Sequence, residues 1–279
     1  MTIKVVTDST CDLPASLAAQ HDITVIPAYI NVGGRSYLDG VDLTRQQFYE
    51  ALPTFTSPPT TAAPASGAFA QTYRNLAAAG ADQILSLHVA GSLSGMLNAA
   101  RLGSEEAADV PVTLFDSGQL SMGLGWLAVT AAQAARAGHT MAEITALLRQ
   151  TQPRTHVFAL LDTLEFLRRS GRVNWAQFGL GSLLNIKPIV KMHQSVLDIE
   201  RIRTYRRAWQ RLLDMLAQAA PLSHLAIVHT HAQAEAEALR AAVKNYHPAD
   251  AIPPLVEVTP AIGSHIGPGA VGFACIRAA

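Results

Sequence analysis

Three short segments carry side chains whose types and spacing could hold or transform a small ligand. In GSLSGMLNAARLGSEEAA, small residues follow the apolar run ILSLHVA and pass directly into a helical pattern. The first amides of a helix lack intrahelical acceptors and sit at the positive end of its dipole. Ser94 and Gly95 at such a start can receive a carboxylate or phosphate, the serine adding a hydroxyl and the glycine allowing close approach. The plain alternative is that Ser94 only caps the helix. A nucleophile elbow does not fit, because the pentapeptide bracketed by Gly91 and Gly95 has Leu93 at its centre, where the elbow needs serine.

The second segment, SPPTTAAPASGAF, is a proline-bounded loop with Thr60, Thr61 and an N-cap expected at Ser66. Prolines stiffen it, so a hydroxyl is presented at small entropic cost, although a threonine beside prolines is also ordinary turn chemistry. The third, GSHIGPGAVG, sets His265 in a glycine-rich turn that lets backbone approach a ligand, without the Gly-Lys-Ser/Thr of a phosphate loop. His229 and His231 fall at i and i+2 of a predicted strand and so share a face, but no third ligand accompanies them and no metal site is expected. In LEFLRRSGRV, Arg168, Arg169 and Arg172 crowd the end of a short helix. They read either as a solvated cap favoured by the dipole or, since three cations exceed what one terminus needs, as a docking patch for an acidic partner.

The elements that must position these residues change character midway. As far as the Ala-rich helix after VTLFDS, short β-rich runs (IKVVTDS, ITVIPAYINV, ILSLHVA, VTLFDS) alternate with helices starting near Thr44, Ser66 and Ser94, a pattern of βα units and a largely parallel sheet. Thr140 and Glu143 have capping-box spacing and mark one more helix. After about Arg154 come THVFALLD, a helical Thr163–Arg169 segment, the hairpin-like IKPIVKMHQSVLDIERIRT, a helix near Trp209, HLAIVHTH, another helix, PLVEVTP and VGFACIRA. The expectation is therefore an α/β amino-terminal domain over residues 1–152 and a smaller α+β carboxy-terminal domain over 153–279, with the boundary at Gln152–Pro153.

Composition excludes several functions. Lysine plus arginine and aspartate plus glutamate both number 21, for zero formal charge, and no basic run is long enough to track a phosphate backbone, so nucleic acid is not an expected partner. No segment reaches the roughly 20 apolar residues of a membrane span, and MTIKVVTDST turns polar too early for a secretory leader, which points to the cytoplasm. Cys11 and Cys275, at opposite ends, offer neither a disulfide framework nor metal-ligand spacing. Asp8, Asp12 and Asp116 near strand ends, with His265 as base, leave open a small-molecule phosphotransferase or other metal-dependent enzyme. No Walker or kinase motif supports that alternative.

Taken in order, VTDSTCDLP, PPTTAAP, LSG, the FDS of Asp116 and Ser117, LRRSGRV, NIKPIV, IRT and SHIGPGAVG resemble the DegV family of fatty-acid-binding proteins over nearly the whole chain. The resemblance implies the two-domain α/β architecture described above, with an acyl tail such as that of palmitate or oleate in a tunnel near the domain junction. It implies no catalytic activity and no cofactor beyond the bound fatty acid. Where a fatty acid kinase exists, it further implies presentation of the carboxylate to that enzyme for conversion to an acyl phosphate. Thr61 falls on the family's loop threonine, Ser94 and Gly95 on its Ser-Gly turn, and His265 on its late histidine, making these the expected carboxylate contacts. Arg203 in IRT is expected in the surrounding hydrogen-bond network. Ala62 and Ala63 stand where the family often has Ser and Gln, Met96 where it often has Thr, and Ser170 where it often has Gly; the first three bear on head-group hydrogen bonding.

Overall fold

The computed structural model describes residues 1–173, 175, 186–244, 246 and 252–279. The first half runs β1 (Ile3–Asp8), α1 (Ala15–Gln20), β2 (Ile23–Ile26), β3 (Tyr29–Val32), β4 (Arg35–Leu38), α2 (Arg45–Ala51), β5 (Thr60–Ala62), α3 (Ser66–Ala78), β6 (Gln83–His88), α4 (Met96–Glu106), β7 (Val112–Asp116), α5 (Ser121–Arg136) and α6 (Met141–Thr151). The second runs β8 (Thr155–Leu160), α7 (Glu165–Ser170), β9 (Ile189–His193), β10 (Val196–Glu200), α8 (Tyr205–Ala219), β11 (Leu222–His229), α9 (Gln233–Ala242), β12 (Leu255–Glu257), α10 (Pro260–Ile266) and β13 (Val271–Arg277).

The β-rich runs of the first half form the expected parallel sheet, in the order β2-β1-β6-β7. Its central strands are apolar on both faces, as a sheet covered on both sides requires: Val5, Val6, Ile84, Leu85 and Leu87 are all buried. The second half forms a mixed sheet, β10-β9-β8-β13-β11-β12, in which only β11 and β12 pair in parallel. Along β13 the side chains alternate. Val271, Phe273 and Cys275 pack with Leu212 and Leu216 of α8 and Leu239 of α9, whereas Ala274 and Ile276 face the larger core shared with the first half.

Helix α5 joins the two layers. Every residue from Ser121 to Val129 is buried, the pattern of a helix enclosed on all sides. Two glycines show how tightly it is held. A Cβ added to Gly123 would lie 2.7 Å from Val157 Cγ2 on β8, and one added to Gly125 would lie 2.7 Å from the Cys11 carbonyl oxygen. Residues two apart project roughly 200° from each other on a helix, so these bare positions let one helix touch both layers.

Several local expectations are corrected. ITVIPAYINV is two strands: β2 joins the parallel sheet, while β3, after Pro27, is the centre of a separate antiparallel sheet, β4-β3-β5. Thr60 and Thr61 lie on β5 of that sheet rather than in a loop; the flanking prolines hold the chain extended and suit an edge strand. Ser66 is the first residue of α3 rather than its cap, and its hydroxyl donates to Glu106. His231 has left the strand, with φ of 51°, and stacks on Tyr49, so it shares no strand face with buried His229. The Thr140–Glu143 capping box is present, and Thr44 with Gln47 forms a second one.

Candidate functional site

A cavity of about 470 Å³ opens where the layers meet, within the size range of small-ligand clefts. Its apolar wall comes from both halves of the chain. Leu120 and Leu93 contribute from the first, and Val157, Leu161, Leu167, Val190, Met192 and Leu197 from the second. Six polar side chains also line it: Thr10, Thr61, Ser92, Ser94, Arg172 and His265. Four residues singled out from sequence, Thr61, Ser94, Gly95 and His265, thus border one space despite a span of 204 positions between Thr61 and His265.

Thr61 and His265 are in direct contact, with Oγ1 and Nε2 2.8 Å apart. His265 occupies the last turn of α10 and not a loop, because Pro260 after Thr259 starts a helix that Gly267 ends. Burial, with the positive charge of Arg172, lowers the imidazole to about 4, so the ring is neutral at pH 7 and carries one N–H. If Nδ1 holds that proton, Thr61 must donate to Nε2. If Nε2 holds it, His265 donates to Thr61 and the threonine proton is free for a carboxylate. An anion in the cavity selects the second arrangement.

Ser94 is set differently. The N-cap of α4 is Gly95, and the Ser94 oxygen accepts from the Met96 amide at 3.2 Å. The capping and ligand readings are therefore compatible: an oxygen that accepts from Met96 still has its own proton to donate. The loop itself is held by Asp116, whose carboxylate accepts from the Gly91 and Gly118 amides at 3.2 and 2.9 Å. On its outer side the β9–β10 turn docks onto it, Ser92 donating to the Ser195 carbonyl and the Ser195 amide to the Gly118 carbonyl, both at 2.9 Å.

The arginines separate. Arg172 is exposed yet borders the cavity, near enough to His265 for its charge to act there, and its guanidinium donates to the Ser170 carbonyl. Arg168 and Arg169 are exposed on α7, Arg169 paired with Glu165 one turn back. Arg203 is exposed and is not among the lining residues. Sequence reasoning set Arg172 apart from the cavity because the turn after α7 folds back towards α10, a contact that local pattern does not encode.

Sequence reasoning also missed a buried chain of polar groups behind the wall. Asp8 Oδ2 lies 2.9 Å from His88 Nδ1, His88 Nε2 lies 2.7 Å from Ser86 Oγ, and Ser86 Oγ lies 2.8 Å from the Tyr73 hydroxyl. Asp8 also accepts from the Val89 amide at 3.1 Å and from Thr10. With Tyr73 donating to Ser86, Ser86 to Nε2 and Nδ1 to Asp8, every member has a hydrogen-bond partner. The order Asp, His, Ser is that of a hydrolytic triad, but all four side chains are fully buried and the serine oxygen is engaged on both sides. The one available signal was a histidine and a serine two positions apart in an otherwise apolar strand. The other acids of the enzyme alternative are engaged too: Asp12 accepts from Ser121 and the Thr259 amide, and Asp116 holds the Gly91 loop. Among the described residues, no three His, Cys, Asp or Glu side chains are placed to hold a metal, and no helix is long and apolar enough to cross a membrane.

Known proteins share this architecture from end to end. A solved fatty-acid-binding DegV family protein from Thermus thermophilus superposes with a TM-score of 0.89 at 31% identity, covering all of both chains. DegV from Bacillus subtilis, described as a fatty acid binding protein, gives 0.88 at 28% identity, covering 99% of this chain and 100% of the other. A DegV domain-containing protein of Streptomyces coelicolor is 36% identical over 274 residues, 97% of this chain and 96% of its own. A family model described as an uncharacterised protein of the DegV family matches residues 2–278; with the fold and these relatives, that match makes the chain a member of the DegV family.

Proposed function

We propose that this chain binds one long-chain fatty acid, palmitate or oleate in class, with the tail against the apolar wall and the carboxylate among Thr61, His265, Ser94 and Arg172. The observation that carries the reading is the Thr61–His265 pair at 2.8 Å on the border of a cavity otherwise lined mainly by Leu, Val, Met, Ile and Ala. The fatty-acid binding of the Thermus thermophilus and Bacillus subtilis relatives supports it. The two ends of the ligand have different tasks. A 16-carbon acid has about 15 carbons beyond the carboxyl, and at about 0.8 kcal/mol per buried methylene their transfer from water is worth on the order of 12 kcal/mol before ordering costs. The tail supplies affinity. A carboxylate at the end of an apolar cavity is costly unless donors meet it, so hydroxyls, a neutral histidine and one cation fix the orientation.

The reading extends to a cytoplasmic carrier without catalysis of its own, built from domains 1–152 and 153–279, which presents the carboxylate to a fatty acid kinase that docks through Arg168 and Arg169. Native mass spectrometry of gently purified protein should find a noncovalent fatty-acid mass that denaturing extraction releases intact. Delipidation should lower the melting temperature and added oleate should restore it, since a ligand of the folded state stabilises by mass action. Absence of both the mass and the thermal response would overturn the reading in favour of an enzyme.

A further inference from the structure

Helix α10 carries His265 but has only seven residues, too few for stability of its own, so its position is set by whatever grips it. The grip comes from the first half of the chain. Just before the helix, Arg45 donates to the Glu257 carbonyl, the Tyr49 hydroxyl donates to the Val258 carbonyl at 3.0 Å, and the Thr259 amide donates to Asp12 Oδ1 at 2.8 Å. The other Asp12 oxygen accepts from Ser121 at 2.5 Å, and Asp12 adopts a left-handed φ of 56°, a conformation aspartate tolerates better than most residues. A second buried carboxyl lies in the turn after β4: Asp39 Oδ2 accepts from the Ser9 hydroxyl at 2.6 Å, and its Oδ1 is buried without a hydrogen-bond partner among the described residues.

We propose that Asp12 clamps the N-terminal end of α10, and so is a positioning residue for His265 and, through it, for the ligand head group. The proposal rests on the fatty-acid reading for its ligand, but the seating of the helix can be read without one. Asp12 is 0% and Asp39 3% exposed. Burial raises the pKa of both, Asp39 to about 7 with Asp12 adding to the effect, while Arg45 opposes it in each. A buried acid kept in such surroundings is accounted for if it meets a free amide at the positive end of a helix, as Asp12 meets that of Thr259. Packing leaves the helix little room to adjust, because a Cβ added to Gly263 would lie 2.4 Å from the Tyr49 hydroxyl oxygen. His265 lies two residues beyond Gly263, and its 2.8 Å contact with Thr61 does not survive a shift of about 1 Å.

The test compares Asp12→Ala, Asp12→Asn and Gly263→Ala with a control, Leu212→Ala, which truncates the core beneath α8 away from the cavity. Nitrogen-15 NMR of the His265 ring is followed in ligand-free protein, and oleate affinity by calorimetry. Asp12→Ala and Gly263→Ala should move the His265 titration up from about 4 towards its ordinary 6.5 and weaken oleate at least tenfold. Asp12→Asn, which keeps an oxygen for the Thr259 amide, should restore most of both. Leu212→Ala should lower the melting temperature while leaving the ring signals and affinity as in wild type. Should Asp12→Ala not fold, Gly263→Ala carries the comparison. Wild-type ring signals in the variant that carries it, or an equal loss in Leu212→Ala, would overturn the clamp. Oleate failing to bind wild type would instead remove the ligand reading, while the ring signals still decide the seating.

Discussion

Valine in place of Thr61 preserves the β-branched shape that suits β5 and deletes only the hydroxyl that touches His265 at 2.8 Å. Two separable effects follow. In the free protein His265 Nε2 loses its partner, and an unsatisfied polar atom in a largely buried setting costs about 1–3 kcal/mol. That loss is present with and without ligand, so it cancels in the affinity and appears as a lower melting temperature. In the complex a hydrogen bond to a carboxylate is missing, worth about 1.5–3 kcal/mol; at 1.4 kcal/mol per tenfold, oleate should bind about 10- to 150-fold more weakly. Binding should persist, because the tail's contribution is untouched. Calorimetry with oleate and with oleyl alcohol isolates the head group: the variant should lose affinity for the acid and hardly any for the alcohol. An oleate Kd within threefold of wild type, with the preference for acid over alcohol unchanged, would show that Thr61 does not hold the carboxylate.

Gly125→Ala should destabilise the protein by about 1–3 kcal/mol, since the new methyl meets the Cys11 carbonyl oxygen at 2.7 Å; an unaltered denaturation midpoint would contradict the packing of α5 between layers. An unfolded Asp39 loses its proton near 3.8, whereas the folded one keeps it to about 7, so its contribution to stability is complete below 3.8 and is lost as pH rises to 7. The melting temperature of wild type minus that of Asp39→Asn should accordingly fall across pH 4–7 and then level off, and a constant difference would refute the shift. Arg172→Ala should weaken oleate retention because Arg172 borders the cavity, with equal retention arguing against its role there. Arg169→Glu should leave retention intact and slow phosphorylation by a cognate fatty acid kinase, a salt-sensitive effect whose absence would remove the docking surface.

Much of this protein was legible in its sequence because local chemistry dictates it. Apolar runs such as IKVVTD and ILSLHVA specify buried parallel strands, the Thr140–Glu143 spacing specifies a helix start, and Ser94 before Gly95 specifies a helix terminus on a short loop. The ordered set of short motifs also pointed to the family to which the chain belongs. A two-residue turn signal, Gly33–Gly34 with both φ positive, identifies the β3–β4 hairpin. Only the tertiary structure decided which polar groups meet. Thr61 reaches His265 across 204 positions, Asp12 reaches Thr259 across 247, and Asp8 reaches His88 across 80. Each such contact depends on how sheets and helices stack, and neither periodicity nor capping carries that information. The same holds for Arg172, a helix-end cation by sequence that the turn after α7 brings to the cavity, and for His265, whose glycine-rich surroundings suggested a loop until Pro260 and the residues that grip it made a helix.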